Sequence, residues 1–398
     1  MKTIKPIHPF PARMAPELAI KSLSRLDKGS TVLDPMMGSG TVVRHAAEQG
    51  HQAYGFDLDP LAVLISRVWS SQVDDALVNE AAEEVLEHAK SLQMRSISIP
   101  AIDDDHETKA FVDYWFAKQQ RSQLRRIAFA IASYPRPYMR SSRLRALDVL
   151  KVALSRIIIT KDRGASLARD VSHSRPHRVM DDSEFDVFEA YSHSLEIVRK
   201  RLLEQPPVKD AAITLGDARS LSSQRTRSVD AVITSPPYLN AIDYMRGHRM
   251  SLVWLGYRLS DLRPIRSRSV GAERYIDDDS EDLDDIVCAM VGDVDLDDRM
   301  EGMIQRYASD AFKIMCEISR VLSKNGHVTI VIGNSCLKST FINNGCGYKR
   351  AGEAAGLVFK RQSTRVLPPN SRYLPIGEGS GQALEKRMRA EVVLEFEG

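Results

Sequence analysis

The sequence predicts an α/β protein built on a doubly wound, mostly parallel sheet that carries a large helical insertion. Three observations lead there. Short β-branched runs at 30–34, 52–57, 211–217 and 228–234 each stop at an acid or a proline, the pattern of buried strands. The first of them runs into a Gly-x-Gly turn that opens a helix, which lets a ligand approach the backbone and meet the helix N-terminus. Between the second and third runs the strand pattern pauses for roughly 140 residues of helical periodicity.

Composition narrows the class further. At 398 residues, 43% hydrophobic and 27% charged, the chain can bury a large core and reads as an ordinary soluble protein. No run approaches the roughly 18 apolar residues of a membrane span. The basic stretch 1–14 leads into no signal-peptide core, so a cytoplasmic protein without a membrane partner is expected. Cys288, Cys316, Cys336 and Cys346 form no C-x-x-C, so neither a zinc site nor a disulfide framework is predicted, and buried inert thiols are expected. The net charge of +2 hides a segregation: residues 118–178 hold fifteen Lys or Arg against three acids, and 277–298 hold eleven acids and no base. A strong positive field beside an acidic loop makes a polyanion the expected partner. That acidic loop lacks the glycine and terminal glutamate spacing of a calcium loop and reads as a surface segment.

In chain order, residues 5–16 are too proline-rich for a helix, and helical spacing follows at 17–26; His8 and Phe10 read as a packed arm. The strand at 30–34 ends on Asp34. Pro35, Met36, Gly38, Gly40 and Thr41 then make the turn before a helix at 42–49. The turn is neither a P-loop nor a full G-x-G-x-x-G. Asp57, at the tip of the second strand and about 20 residues beyond the turn, is a candidate ribose acceptor, whereas Asp59 before Pro60 reads as a helix N-cap. Helices are predicted at 76–96, 111–132, 142–158 and 185–203, with Pro135 and Pro137 interrupting them. This insertion carries Arg121, Arg125, Arg126, Arg169, Arg175 and Arg178, candidates for phosphate contact. His173 and His177 have no third ligand nearby and Pro176 separates them, so no metal is predicted. Asp217 ends the third strand. Arg246 and Arg249 precede an apolar patch around Trp254 and a second basic segment from Arg258 to Arg268. A helix at 302–322, a strand at 327–332 and a closing pair of strands at 357–367 and 390–396 complete the chain.

The fourth strand stops at Ser235-Pro236-Pro237-Tyr238. Proline cannot donate to a ladder, so the strand ends there. A polar side chain, two stiff residues and an aromatic ring are thus held over the C-terminal edge of the sheet, where open α/β sheets bind ligands. By itself this is a site for a flat, polar group.

Taken together, Ser-Pro-Pro-Tyr, the Asp-Pro-Met-Met-Gly-Ser-Gly-Thr turn and the His-Pro-Phe-Pro-Ala-Arg arm resemble the amino-group DNA methyltransferases, which methylate cytosine N4 or adenine N6. The match covers 5–65 and 211–245 well and 302–396 loosely. The resemblance implies a Rossmann-like, seven-stranded methyltransferase domain at 1–69 and 206–398 with a C-terminal antiparallel hairpin. It leaves 70–205 as an insertion, read as the target-recognition region helped by Arg246 to Arg268. It assigns Asp34, Pro35, Met36, Gly38, Gly40 and Thr41 to the S-adenosylmethionine loop, Asp57 to the ribose and Asp217 to the adenine amino group. It also sets His8, Phe10 and Arg13 where the family's arm closes over the cofactor. The partners implied are DNA and a cognate restriction endonuclease or defence-system subunit, in a bacterial or archaeal cytoplasm.

The chemistry suits these residues. An exocyclic amine has its lone pair delocalised into the ring, so acceptors such as Ser235 Oγ and the Pro236 carbonyl are wanted, and no cysteine nucleophile is. The target base must be flipped out, and stacking on Tyr238 offsets part of that cost. Serine at the head of the motif leans towards cytosine N4; aspartate or asparagine would lean towards adenine N6. The competing readings are an RNA or tRNA base methyltransferase, a non-catalytic DNA-binding subunit, and a nicotinamide dehydrogenase, which would want the third glycine. The family's usual layouts do not place a large insertion before the third strand.

Overall fold

The computed structural model describes residues 4–10, 13–134, 141–161, 163–169, 176–239, 243–270, 281–292, 294, 296–337, 340–367 and 390–398. Helix α1 (Pro16–Leu23) precedes β1 (Thr31–Asp34), α2 (Thr41–Glu48) and β2 (Gln52–Asp57). Six helices of ten or more residues follow: α3 (Pro60–Trp69), α4 (Asp75–Ser91), α5 (His106–Trp115), α6 (Lys118–Ser133), α7 (Ser141–Arg156) and α8 (Val187–Glu204). Strands β3 (Ala212–Leu215) and β4 (Val229–Thr234) lead to α9 (Tyr244–Leu252), α10 (Leu259–Arg268), α11 (Glu281–Val291) and α12 (Asp298–Val321). The chain closes with β5 (Leu322–Gly333), α13 (Asn344–Ala354), β6 (Val358–Val366) and β7 (Ala390–Glu397). Several helix starts follow local chemistry. Side chains of Asp59, Asp74, Asp105, Asp186, Asp297 and Asn343 accept first-turn N–H groups of α3, α4, α5, α8, α12 and α13, each cap worth about 1 kcal/mol.

The chain forms two compact units. The sheet unit takes residues 14–58, 211–242 and 267–398. Its seven strands lie in the order β6-β7-β5-β4-β1-β2-β3. The ladders β5/β4, β4/β1, β1/β2 and β2/β3 are parallel, and β7 is antiparallel to both β5 and β6. This is the seven-stranded, mostly parallel sheet with a C-terminal hairpin that the resemblance implies. Tyr307, Ile314, Ile318 and Val321 of α12 pack with Val328, Ile330 and Ile332 of β5 and with Leu33 in one hydrophobic core.

The helical unit takes residues 1–13, 59–210 and 243–266, so it gathers more than 70–205. The reason is packing. Ile4, Ile7 and Phe10 of the arm, Leu61 and Ile65 of α3, and Met250, Trp254 and Leu262 share one core with the helices α4 to α8. Half-buried Arg156 and Arg201 donate to the carbonyls of Ile7 and Pro6, tying the arm to this core.

Several expectations need correction. The helix predicted across 111–132 is two helices, because Phe116 is extended and fully buried, edge-on to Trp254 at 5.1 Å. The patch at 250–257 is the end of α9 and a 3-10 turn, and the basic segment after it is α10. Much of the acidic run is helix α11: Leu283, Ile286 and Met290 share its buried face while Asp282, Asp284 and Asp285 are exposed. Cys288 and Cys316 are exposed and only Cys336 is buried, so the expectation of four buried thiols fails. A small hairpin of Ser335–Leu337 and Thr340–Ile342, and α13 after it, were not foreseen. Among the described residues no helix is long and apolar enough to cross a membrane.

Candidate active site

Strands β1 and β4 are adjacent and parallel, with Leu33 opposite Val232, so their C-terminal tips are neighbours. Thr234 Oγ1 donates to Asp34 Oδ1 at 2.7 Å, and both residues are buried. The same carboxylate oxygen accepts the Met36 N–H at 3.2 Å. Burial is the largest influence on Asp34; with a smaller push from Asp57 it outweighs those two hydrogen bonds, and the carboxyl is pushed up to about 7. Among the described residues no cation pairs with it. Pro35 and Thr41 are buried and Met36 is half-buried. Gly40 is left-handed at φ 88° as the N-cap of α2, a conformation that glycine adopts without a Cβ penalty. At the tip of β2, Asp57 Oδ2 accepts the Gly38 N–H at 2.8 Å, fastening the turn to the next strand.

Beyond Thr234 the backbone leaves the ladder. Pro236 is buried, and Ser235, Pro237 and Tyr238 are half-buried. No hydrogen bond to Ser235 Oγ or to the Pro236 carbonyl forms among the described residues, so both keep their accepting capacity. The Pro237 carbonyl accepts the Tyr307 hydroxyl at 2.9 Å. The Tyr238 ring lies against Gly333 so closely that a Cβ there would sit 2.6 Å from its Cε2, and its hydroxyl is 3.3 Å from Glu391 Oε1.

Beyond the end of β3, Asp217 is gripped by Arg219. Oδ1 accepts the Arg219 backbone N–H at 3.0 Å and Nε at 2.9 Å, while Oδ2 accepts Nη2 at 2.6 Å. Burial opposes ionisation, but the Arg219 hydrogen bonds and charge win and hold the Asp217 carboxyl below its usual range. A carboxylate oxygen has two accepting directions, so Oδ2 keeps one for a further donor. Arg219 also bonds Asp310 Oδ1 at 2.6 Å and the Arg268 carbonyl at 2.6 Å.

The arm residues belong to the helical unit. His8 and Phe10 are buried and Arg13 is exposed. Phe10 stacks on Tyr244 at 6.0 Å and tilts against His248 at 5.0 Å, and buried His248 pairs with Asp59 through Nδ1 and Oδ2. Of the arginines expected at DNA, Arg121 pairs with Asp113 and Arg125 with Asp103. Arg178 lies 4.9 Å over the Tyr114 ring and 3.2 Å from Asp181. Arg169 is exposed, Arg126 is half-buried, and Arg175 lies outside the described residues. Exposed Arg246 and Arg266 share Asp243 at 3.9 and 2.8 Å. Arg249 sits 5.0 Å over Phe111, its guanidinium pKa lowered first by burial and then by the charge of Arg266.

Sequence reasoning missed Thr234, Arg219, Tyr307 and Asp310. Thr234 left a trace, a polar residue closing an apolar run, and so did Arg219, two residues beyond a strand-end acid. Tyr307 and Asp310 left none.

The strand order, the hairpin at one edge and the acid at the tip of β1 before a Gly-x-Gly turn define an S-adenosylmethionine-dependent methyltransferase fold. In sequence the chain is similar to Type II DNA methyltransferases. It is 24% identical over 266 residues to the Type II methyltransferase M.BsoBI of Geobacillus stearothermophilus, covering 61% of this chain and 50% of that protein. It is 21% identical over 348 residues to M.MjaII of Methanocaldococcus jannaschii, covering 68% and 64%. The chain therefore spans about half to two thirds of the length of these relatives. No protein-family profile matches it. Solved structures with some likeness include an S-adenosylmethionine-dependent methyltransferase of Methanosarcina mazei, at TM-score 0.33 and 9% identity, covering 97% of this chain and 98% of that one. Another is a TehB-like methyltransferase of Corynebacterium glutamicum at TM-score 0.30 and 9% identity, covering 96% and 85%. Likenesses that distant add nothing to the strand order itself.

Proposed function

We propose that this chain transfers a methyl group from S-adenosylmethionine to an exocyclic amino nitrogen of a DNA base, cytosine N4 by preference. The observation that carries the reading is the Thr234 to Asp34 hydrogen bond, which fastens the tip bearing Ser-Pro-Pro-Tyr to the tip bearing the Gly-x-Gly turn. A donor loop and an acceptor for a planar amine are thereby built on one pair of strand ends.

The residues fit the cofactor. Asp34, buried and without a cation among the described residues, suits a ligand bearing positive charge. Asp217 Oδ2 retains an accepting direction suited to an aromatic amine, and Asp57 ends the neighbouring strand where ribose is commonly held. S-adenosylmethionine supplies an electrophilic methyl on a sulfonium. Ser235 Oγ and the Pro236 carbonyl accept the two amino hydrogens and orient the nitrogen lone pair, and the proton that the amine sheds leaves to solvent. Tyr238 offers the flipped base an aromatic edge, although the Gly333 side of its ring is already occupied. DNA contact is assigned to the helical unit, residues 70–205 included. Among its arginines, Arg246 and Arg266 share one carboxylate, Asp243, whereas Arg121 and Arg125 each pair with an acid of their own and must leave it to reach a phosphate. The Type II relatives make a restriction endonuclease the partner to seek.

Incubation with duplex DNA or RNA and labelled S-adenosylmethionine, then digestion to nucleosides, tests the reading. N4-methyldeoxycytidine in the DNA arm is expected. N6-methyldeoxyadenosine would move the assignment to the other amine, label confined to RNA would replace the substrate, and no label in either arm would overturn the proposal. Pro236→Ala with Tyr238→Ala should cut transfer by at least about 100-fold with cofactor binding retained.

A further inference from the structure

Helix α12 reaches both ends of the candidate site from one face. Tyr307 and Asp310 are three residues apart, so they are neighbours on the helix surface, and they are 0% and 1% exposed. The Tyr307 hydroxyl holds the Pro237 carbonyl at 2.9 Å, in the middle of Ser-Pro-Pro-Tyr. One turn further along, Asp310 takes Arg219 Nη1 at 2.6 Å, and Arg219 grips both oxygens of Asp217. The pair is reinforced from the helix itself. Arg306 Nε lies 4.0 Å from Asp310 Oδ2, and its Nη2 donates to the Ser267 carbonyl at 3.2 Å.

We infer that Tyr307, Asp310 and Arg219 are positioning residues, Tyr307 setting the loop that receives the base and Asp310 with Arg219 aiming the acid that receives the cofactor's adenine. The inference rests on the methyltransferase reading above and adds a division of labour within it. The Pro237 ring locks φ, so only ψ is left free between the Pro236 carbonyl's peptide unit and the Pro237 carbonyl, and a hydrogen bond that holds the latter restrains the peptide units on either side, the Pro236 carbonyl among them. Arg219 imposes a different kind of constraint. Its planar fork meets the Asp217 carboxylate side-on through Nε and Nη2, which sets the carboxylate plane and with it the direction in which Oδ2 can accept another donor. Asp310 in turn fixes the fork through Nη1. A lysine at 219 would keep the charge and lose the plane. Burial keeps the Tyr307 phenol protonated, hence a donor, across the working range.

The two arms call for different readouts. In the full-length chain, Tyr307→Phe removes one donor and little else; it should lower kcat for DNA methylation about tenfold while the calorimetric Kd for S-adenosylmethionine stays within about twofold. Arg219→Lys should do the reverse, raising that Kd about tenfold with kcat at saturating cofactor within about threefold. Asp310→Asn should behave like Arg219→Lys; should it fail to fold, Arg219→Lys carries that arm. If both arms shift the same parameter, or only the melting temperature falls, the division of labour is wrong. A parent chain that binds no S-adenosylmethionine, or methylates no DNA, would instead defeat the functional reading on which the inference rests.

Discussion

Asp34 and Asp217 stand at the ends of two strands of the same sheet, and their electrostatic settings are opposite. Among the described residues Asp34 is buried with neutral donors only, and its carboxyl is pushed up to about 7. Asp217 is less buried and clasped by a guanidinium, and its carboxyl is held below the usual range. An acid at a strand tip is thus not one kind of object. The partner that reaches it through the fold decides whether it waits for a cation or has one already.

The largest effect should come from removing that partner. Arg219→Met leaves Asp310 buried without the nearer of its two arginines and frees Asp217, and it should cost about 3–5 kcal/mol in urea unfolding. A loss below about 1 kcal/mol would mean that the two acids were never held by this residue.

Asp34→Asn sharpens the other side. The folded carboxyl has its pKa raised to about 7 against 3.8 as its ordinary value. Its contribution to stability is therefore complete below about pH 3.8 and is lost as the pH rises through about 7. Asparagine keeps the accepting oxygen and abolishes the titration. The variant should be more stable than its parent at pH 8, by on the order of 2–4 kcal/mol, with the gap closing towards pH 4. In the parent, affinity for a cationic cofactor should rise with pH through about 7, and in Asp34→Asn it should be flat. Parallel stability profiles for parent and variant would show that Asp34 is ionised throughout.

How much of this contrast was legible in the sequence depends on what kind of signal carried it. The strand tips, the glycine turn and the Pro-Pro-Tyr break are written in backbone chemistry, which acts within a few residues wherever the segment ends up. The site residues at 34, 57, 217 and 235–238 could be named for that reason. What charges those acids was illegible, because Arg219 meets Asp310 across 91 positions and Tyr307 meets Pro237 across 70. The surface depends on distant partners in the same way. A run of fifteen bases looks like a single positive field, but folding hands Arg121 to Asp113, Arg125 to Asp103, Arg143 to Glu80 and Arg145 to Asp210. Helix α11 hid within an acidic run because three apolar residues at helical spacing suffice to bury one face.

The smallest effects should lie on that surface. Arg121→Ala breaks an exposed pair with Asp113 and should change stability by less than about 1 kcal/mol. Replacing Arg246 and Arg266 by alanine should flatten the salt dependence of DNA binding by about one unit per arginine, and Arg121→Ala should flatten it less. Equal slopes for the two substitutions would erase the distinction drawn between them.

Gly333 imposes a limit on redesign. Position 333 has no room for a Cβ because the Tyr238 ring occupies it. If the proposed reading holds, base preference is retuned by exchanging Ser235, which alters only what the amine would meet. An alanine at 333 would have to lever the aromatic ring away, so this single hydrogen in place of a methyl sets where the Tyr238 ring stands.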